Sequence, residues 1–86
     1  MRQSYKYDHK NHHIEIKVFD DGYELWIDGK QVSKDYGNFA IPFIGGASLR
    51  GEAGSDHVQA FIRNMGIYFK LELNINDVNV ARATFK

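Results

Sequence analysis

The 86-residue chain contains no cysteine and a single proline, and its eleven Lys/Arg residues balance eleven Asp/Glu. Each shortage excludes a class of chemistry. Without cysteine there are no disulfides, thiolate nucleophiles or Cys-based metal sites, so a small domain must rely on its core alone. Six basic residues meet seven acidic ones in residues 1–43, and five meet four in residues 44–86. At the level of the whole chain this leaves no electrostatic footprint for nucleic acid or an anionic membrane, and neither is expected as a partner. No apolar run nears the roughly 20 residues of a membrane span, and the first residues lack the apolar stretch of a signal peptide. The expected location is therefore cytoplasmic.

What is present points to a folded domain. Leu, Ile, Val and Phe supply 23 of the 86 residues, above the level at which chains stay disordered. A second domain would need roughly another hundred residues, so residues 1–86 are read as one. Residues 14–18 (Ile-Glu-Ile-Lys-Val) and 23–27 (Tyr-Glu-Leu-Trp-Ile) alternate with period two, as strands with one buried face do. Asp20-Asp21-Gly22 separates them and Asp28-Gly29 follows. Asp-Gly tolerates the positive φ angles of a type I′ turn, which predicts hairpins at both places. Residues 30–33 make a short third run. Further on, Ile67, Phe69, Leu71, Leu73 and Ile75 share one face of a run over 67–75, and Asn76-Asp77 turns the chain into a last strand from Val78 to Phe85.

The middle is less regular. Residues 39–44 surround Pro42 and suit an edge strand, because proline cannot donate to a ladder. Residues 45–55 hold four glycines in eleven residues and read as a mobile loop. Residues 56–66 admit two readings. As a helix, Val58, Phe61, Ile62 and Met65 share a face, with Asp56 and Gln59 as a capping box and Gly66 closing the end. As a strand, Val58, Ala60 and Ile62 alternate. The expected fold is all-β, a small antiparallel sandwich or flattened barrel of hairpins, with five or so strands in a meander. The alternative is α+β with one short helix near 56–65.

An internal echo links the two hairpins. Glu24-Leu25-Trp26-Ile27-Asp28-Gly29-Lys30-Gln31-Val32 overlays Glu72-Leu73-Asn74-Ile75-Asn76-Asp77-Val78-Asn79-Val80 at a spacing of 48. At these residues the chain resembles the Fas apoptotic inhibitory molecule family, whose small β domains contain a Tyr-Val-Asp-Gly-Lys hairpin and later a Tyr-x-Leu-x-Ile-Asn-Gly hairpin. The counterparts are Trp26 to Lys30 and Phe69 to Asn76, with Asp77 in place of the last glycine, and the similarity covers residues 12–34 and 57–80. It implies an antiparallel β-sandwich and a role in protein interaction rather than catalysis. The Gly-rich stretch at 45–55 has no counterpart in that family, and the family's tryptophan-bearing opening segment is missing here.

Catalytic signals are sparse. None of Ser4, Ser33, Ser48 and Ser55 lies in Gly-x-Ser-x-Gly, and the side chains of Ser55, Asp56 and His57 diverge on any regular backbone. His9, His12 and His13 beside Asp8, with His57 more distant, have the donor type for Zn²⁺, but neighbours on a strand point to opposite sides. No metal and no cofactor is assigned. Arg50 and Gly51 in the Gly-rich stretch make an alternative ligand site, as an anion nest of backbone N–H groups. Twelve aromatic residues are the more informative feature. If Leu25 and Ile27 face the core, Trp26 faces away, and the same logic places Phe19 and Tyr68 outside, rimmed by Lys17 and Lys70. Trp26, Tyr68, Phe19 and Lys70 are thus the expected contact surface for another protein, or for a second copy in a homodimer. An exposed edge strand offers a second route to self-association. The expected function is a non-enzymatic protein-interaction domain, with a small-ligand or metal binder as the alternative.

Overall fold

Four tight turns organise the described residues, and each joins two strands through two residues. The structure, a computed structural model, describes residues 3–19, 22–35, 46–65 and 67–85. Strand β1 (Gln3–His9) returns as β2 (His12–Val18), and β3 (Tyr23–Ile27) as β4 (Lys30–Asp35). The pattern repeats with β5 (Gly46–Ala53) and β6 (Asp56–Asn64), then β7 (Phe69–Ile75) and β8 (Val78–Phe85). Asp28 and Gly29 have φ of 53° and 78°, and Asn76 and Asp77 have 51° and 66°. Two successive positive φ angles are the signature of a type I′ turn, the connection whose twist matches its strands. The turns anticipated at Asp28-Gly29 and Asn76-Asp77 are therefore both formed.

The strands make two antiparallel four-stranded sheets in sequential order, sheet A from β1 to β4 and sheet B from β5 to β8. The fold is all-β, and the described residues form eight strands in two meanders rather than five in one. Residues 56–64 are strand, because β6 is paired on both sides, with β5 and with β7, and a helix there would leave both ladders open. The described part of the Gly-rich stretch, residues 46–55, is not a loop. Its alternate residues Ala47, Leu49, Gly51 and Ala53 oppose Ile62, Ala60, Val58 and Asp56 in register, and among its described residues Gly54 alone takes the left-handed conformation, in the turn. Small residues here suit close approach rather than freedom, since a Cβ on Gly51 would stand 2.6 Å from Val32 Cγ2. The expected edge strand around Pro42, the aspartates at 20–21 and Gly66 lie outside the described residues.

The two halves repeat each other in detail. Leu25 and Leu73, 48 apart, mark the same register shift, which leaves Val32 in β4 and Val80 in β8 as the extra residues of matching bulges. The N–H of His13 donates to Asp28 Oδ1 at 2.8 Å and the N–H of Asp28 to the His13 carbonyl at 2.8 Å. His57 and Asn76 exchange the same pair of bonds at 2.9 Å. The echo is thus a shared construction of turn, bulge and clamp.

Inward residues of both sheets form one core that includes Ile14, Ile16, Leu25, Leu49, Leu71 and Leu73, all at 0 or 1% exposure. Each such burial contributes about 1.5–3 kcal/mol relative to exposure. Tyr23 of sheet A meets Phe69 of sheet B edge to face, with ring centroids 6.2 Å apart. Ile67 departs from the sequence reading. It is 87% exposed, because the Met65 N–H bonds the Tyr68 carbonyl and places residue 67 in the connection ahead of β7.

Candidate binding face

Alternation turns Lys6 and Asp8 of β1, His13, Glu15 and Lys17 of β2, and Glu24 and Trp26 of β3 to the outside of sheet A, since their strand neighbours face the core. Trp26 is half-buried on this outer face, held by two contacts. Lys17 Nζ lies 3.9 Å from the centroid of the indole ring, a cation–π arrangement, and Trp26 Nε1–H donates to Glu24 Oε1 at 2.8 Å. Lys34 of β4 approaches the same carboxylate at 3.8 Å. Beside the indole lies a shallow depression of about 260 Å³, also lined by Lys6, Asp8, His13, Ile14, Glu15 and Gly29. The face thus offers one fixed aromatic plane among charges of both signs.

The four residues expected to form one patch do not come together. Phe19 follows the end of β2, half-buried, four residues beyond the Glu15 that pairs with Trp26, or about 13 Å along the strand. Tyr68 lies in the bend just ahead of β7, and Lys70 points outward from β7 of sheet B, on the opposite side of the sandwich. Alternation says which residues share a face of one strand. It does not say which sheet that strand joins.

Arg50 and Gly51 do not make an anion nest. Arg50 is exposed on the outside of sheet B, its N–H reaching Ser33 Oγ of β4 at 3.4 Å, while Gly51 faces inward against Val32, Ile27 and Leu25. Adjacent residues of a strand point to opposite faces, so their N–H groups cannot converge on one anion.

All four histidines gather near the tight turns, and each is matched with a carboxylate. His9 Nε2 donates to Asp56 Oδ2 at 2.7 Å, joining sheet A to sheet B, and Lys10 Nζ reaches the same oxygen at 3.1 Å. His12 Nδ1 donates to Asp28 Oδ2 and His13 Nδ1 to Asp8 Oδ1, both at 2.7 Å, and His57 approaches Glu52 at 3.5 Å. Hydrogen bonds from His9, Asn76 and Lys10 hold the Asp56 carboxyl far below the usual carboxylate range. Those from the His12 side chain and the His13 backbone lower Asp28. The Asp8 carboxylate raises His13. The histidines are tied pairwise to different acids, and among the described residues no group of three or more His, Asp or Glu is placed to hold a metal ion. Sequence reasoning placed Asp8 beside the N-terminal histidines, where it binds His13, but not the more distant partners, since His9 and Asp56 lie 47 residues apart.

Comparison with known proteins adds no relative: no family model, curated protein or solved structure matches the chain. Among the described residues no helix is long and apolar enough to cross a membrane.

Proposed function

We propose that the protein is a non-enzymatic interaction domain that binds another protein through the outer face of sheet A, with Trp26 as the anchor. The observation that carries this reading is the fixed indole. Its orientation is set by Lys17 and Glu24, so little side-chain entropy is lost on binding, and large rigid aromatics are the usual anchors of protein contacts. The depression beside it accepts a side chain, and Lys6, Asp8, His13 and Glu15 around it supply both donors and acceptors. The two hairpins that resemble the Fas apoptotic inhibitory molecule family support the same direction. A second copy of the chain is the other candidate partner, because no strand pairs with the outer edges of β1 and β8 among the described residues, and β8 carries Arg82 as its one charge.

The test is affinity capture with the wild type and with Trp26→Ala, both verified as folded by circular dichroism. Partners held by the wild type are expected to be lost from the variant. A folded Trp26→Ala protein that captures the same partners refutes the assignment of this face.

A further inference from the structure

The neutral total charge conceals an asymmetry between the two sides of the sandwich. On the outside of sheet A, Lys6, Lys17 and Lys34 are balanced by Asp8, Glu15 and Glu24. On the outside of sheet B, among the described residues, Arg50, Arg63, Lys70 and Arg82 outnumber Glu52 and Glu72, and Glu72 lies directly opposite Arg82 in the β7–β8 register. Glu52 is engaged by His57. None of the four cations takes part in an ion pair among the described residues, whereas Lys17 sits on Trp26 and Lys34 approaches Glu24. Arg63 and Lys70, moreover, are direct partners in the β6–β7 register. Like charges directly opposite one another destabilise a sheet, so this pairing works against the unbound fold.

At the middle of this surface stands Phe61, 36% exposed, with Ser48 and Glu72 as its cross-strand neighbours. The row toward the turns is Arg50, Gln59 and Asn74, and the row away from them contains Arg63, Lys70 and Thr84. Same-face residues of a strand repeat every ~6.8 Å. An extended peptide has the same repeat.

We propose that the outer face of sheet B docks an acidic segment of a partner protein, in which carboxylates meet Arg50, Arg63, Lys70 and Arg82 on either side of an apolar side chain that covers Phe61. A second copy of the chain does not fit this face, because two such cationic surfaces repel. A single-stranded nucleic acid is less well matched, because continuous stacking needs several aromatic platforms, and among the described outward residues of strands β5 to β8 Phe61 is the one Phe, Tyr or Trp, next to the Glu72 carboxylate. The carboxylates of a bound segment would neutralise the Arg63–Lys70 repulsion, so unfavourable energy in the free protein is released on binding. This surface is distinct from the Trp26 face and stands or falls separately.

The test uses the full chain and a fluorescein-labelled peptide of eight glutamates flanking a central leucine, read by fluorescence anisotropy at 20 and 300 mM salt. Binding is expected at low salt and should weaken at least tenfold at high salt. Arg63→Glu should weaken binding at least tenfold and Phe61→Ala several-fold. Lys30→Glu, the same charge reversal at the start of β4 on sheet A, should leave it within about twofold. Because Arg63→Glu converts the repulsive cross-strand pair into an attractive one, it should also raise the melting temperature by about 2–4 °C, which separates lost binding from lost folding. The proposal is overturned if the peptide does not bind, if Arg63→Glu binds like the wild type, or if Lys30→Glu weakens binding as much as Arg63→Glu. Tighter binding of a twelve-residue oligothymidine than of the peptide also overturns it, in favour of nucleic acid.

Discussion

Substituting Gly51 by alanine tests why a Gly-rich stretch folds as strand β5. Gly51 faces the core, and an added Cβ meets Val32 Cγ2 at 2.6 Å, Ile27 Cδ1 at 3.1 Å and Leu25 Cδ2 at 3.4 Å. Carbon atoms normally approach to ~3.5–4.0 Å, so the first contact is about 1 Å too close. Ile27 Cδ1 is a flexible side-chain end and can turn aside. Val32 is branched at Cβ and stiff about χ1, but at 43% exposure it has solvent to move into. Overpacking of this kind costs about 1–3 kcal/mol, offset by about 0.4–1 kcal/mol from the reduced entropy of the unfolded chain. The net loss should be about 1–2 kcal/mol, or a melting temperature lower by about 5–15 °C. Urea denaturation followed by Trp26 fluorescence measures it. The decisive comparison is a double-mutant cycle with Val32→Ala, which deletes the atom in the clash and by itself should cost about 1 kcal/mol or less. In that background Gly51→Ala should be close to neutral. Unchanged stability in the single variant, or strict additivity in the double, refutes the close-approach explanation of β5.

Two further outcomes follow from the turns and the edges. The Asp56 carboxyl is held far below its ordinary value by His9, Asn76 and Lys10, so the stability it supplies is complete above its unfolded pKa of about 4 and is lost as pH falls through the lower folded value. Urea midpoints between pH 6 and 2 should therefore fall less steeply for Asp56→Asn than for the wild type, and an unchanged slope would contradict the bonding described. Self-association through the open edges of β1 or β8 predicts a mass in light scattering that rises toward the dimer with protein concentration. A strict monomer at high concentration removes that reading and leaves a different protein as the partner.

Most of the strand pattern was legible because alternation is local. Ile14, Ile16 and Val18, then Leu25 and Ile27, then Leu71, Leu73 and Ile75 are buried as their period-two spacing implies. Asp28-Gly29 and Asn76-Asp77 announce their turns because positive φ angles restrict residue type at those very positions. Where two local patterns overlapped, the sequence was neutral. Asp56 and Gln59 look like a capping box, yet the Asp56 carboxylate serves His9, Lys10 and Asn76 instead, and pairing with β5 and β7 makes the segment a strand. The glycines of 45–55 misled for a related reason, since glycine marks both freedom and close approach, and only the presence of Val32 opposite Gly51 distinguishes them.

The candidate sites depended still more on the third dimension. Trp26 could be assigned to an outer face from its neighbours Leu25 and Ile27, because side chains on a strand must alternate. Its separation from Tyr68 and Lys70 could not, because the partition of the described strands into two sheets is decided by pairing between residues far apart in the chain. The same partition sorts a chain of zero net charge into a balanced face and a cationic one, and brings His9 to Asp56 across 47 residues. Inside and outside, strand and turn, are written in short-range spacing. Which outsides lie together is a property of the assembled sandwich alone.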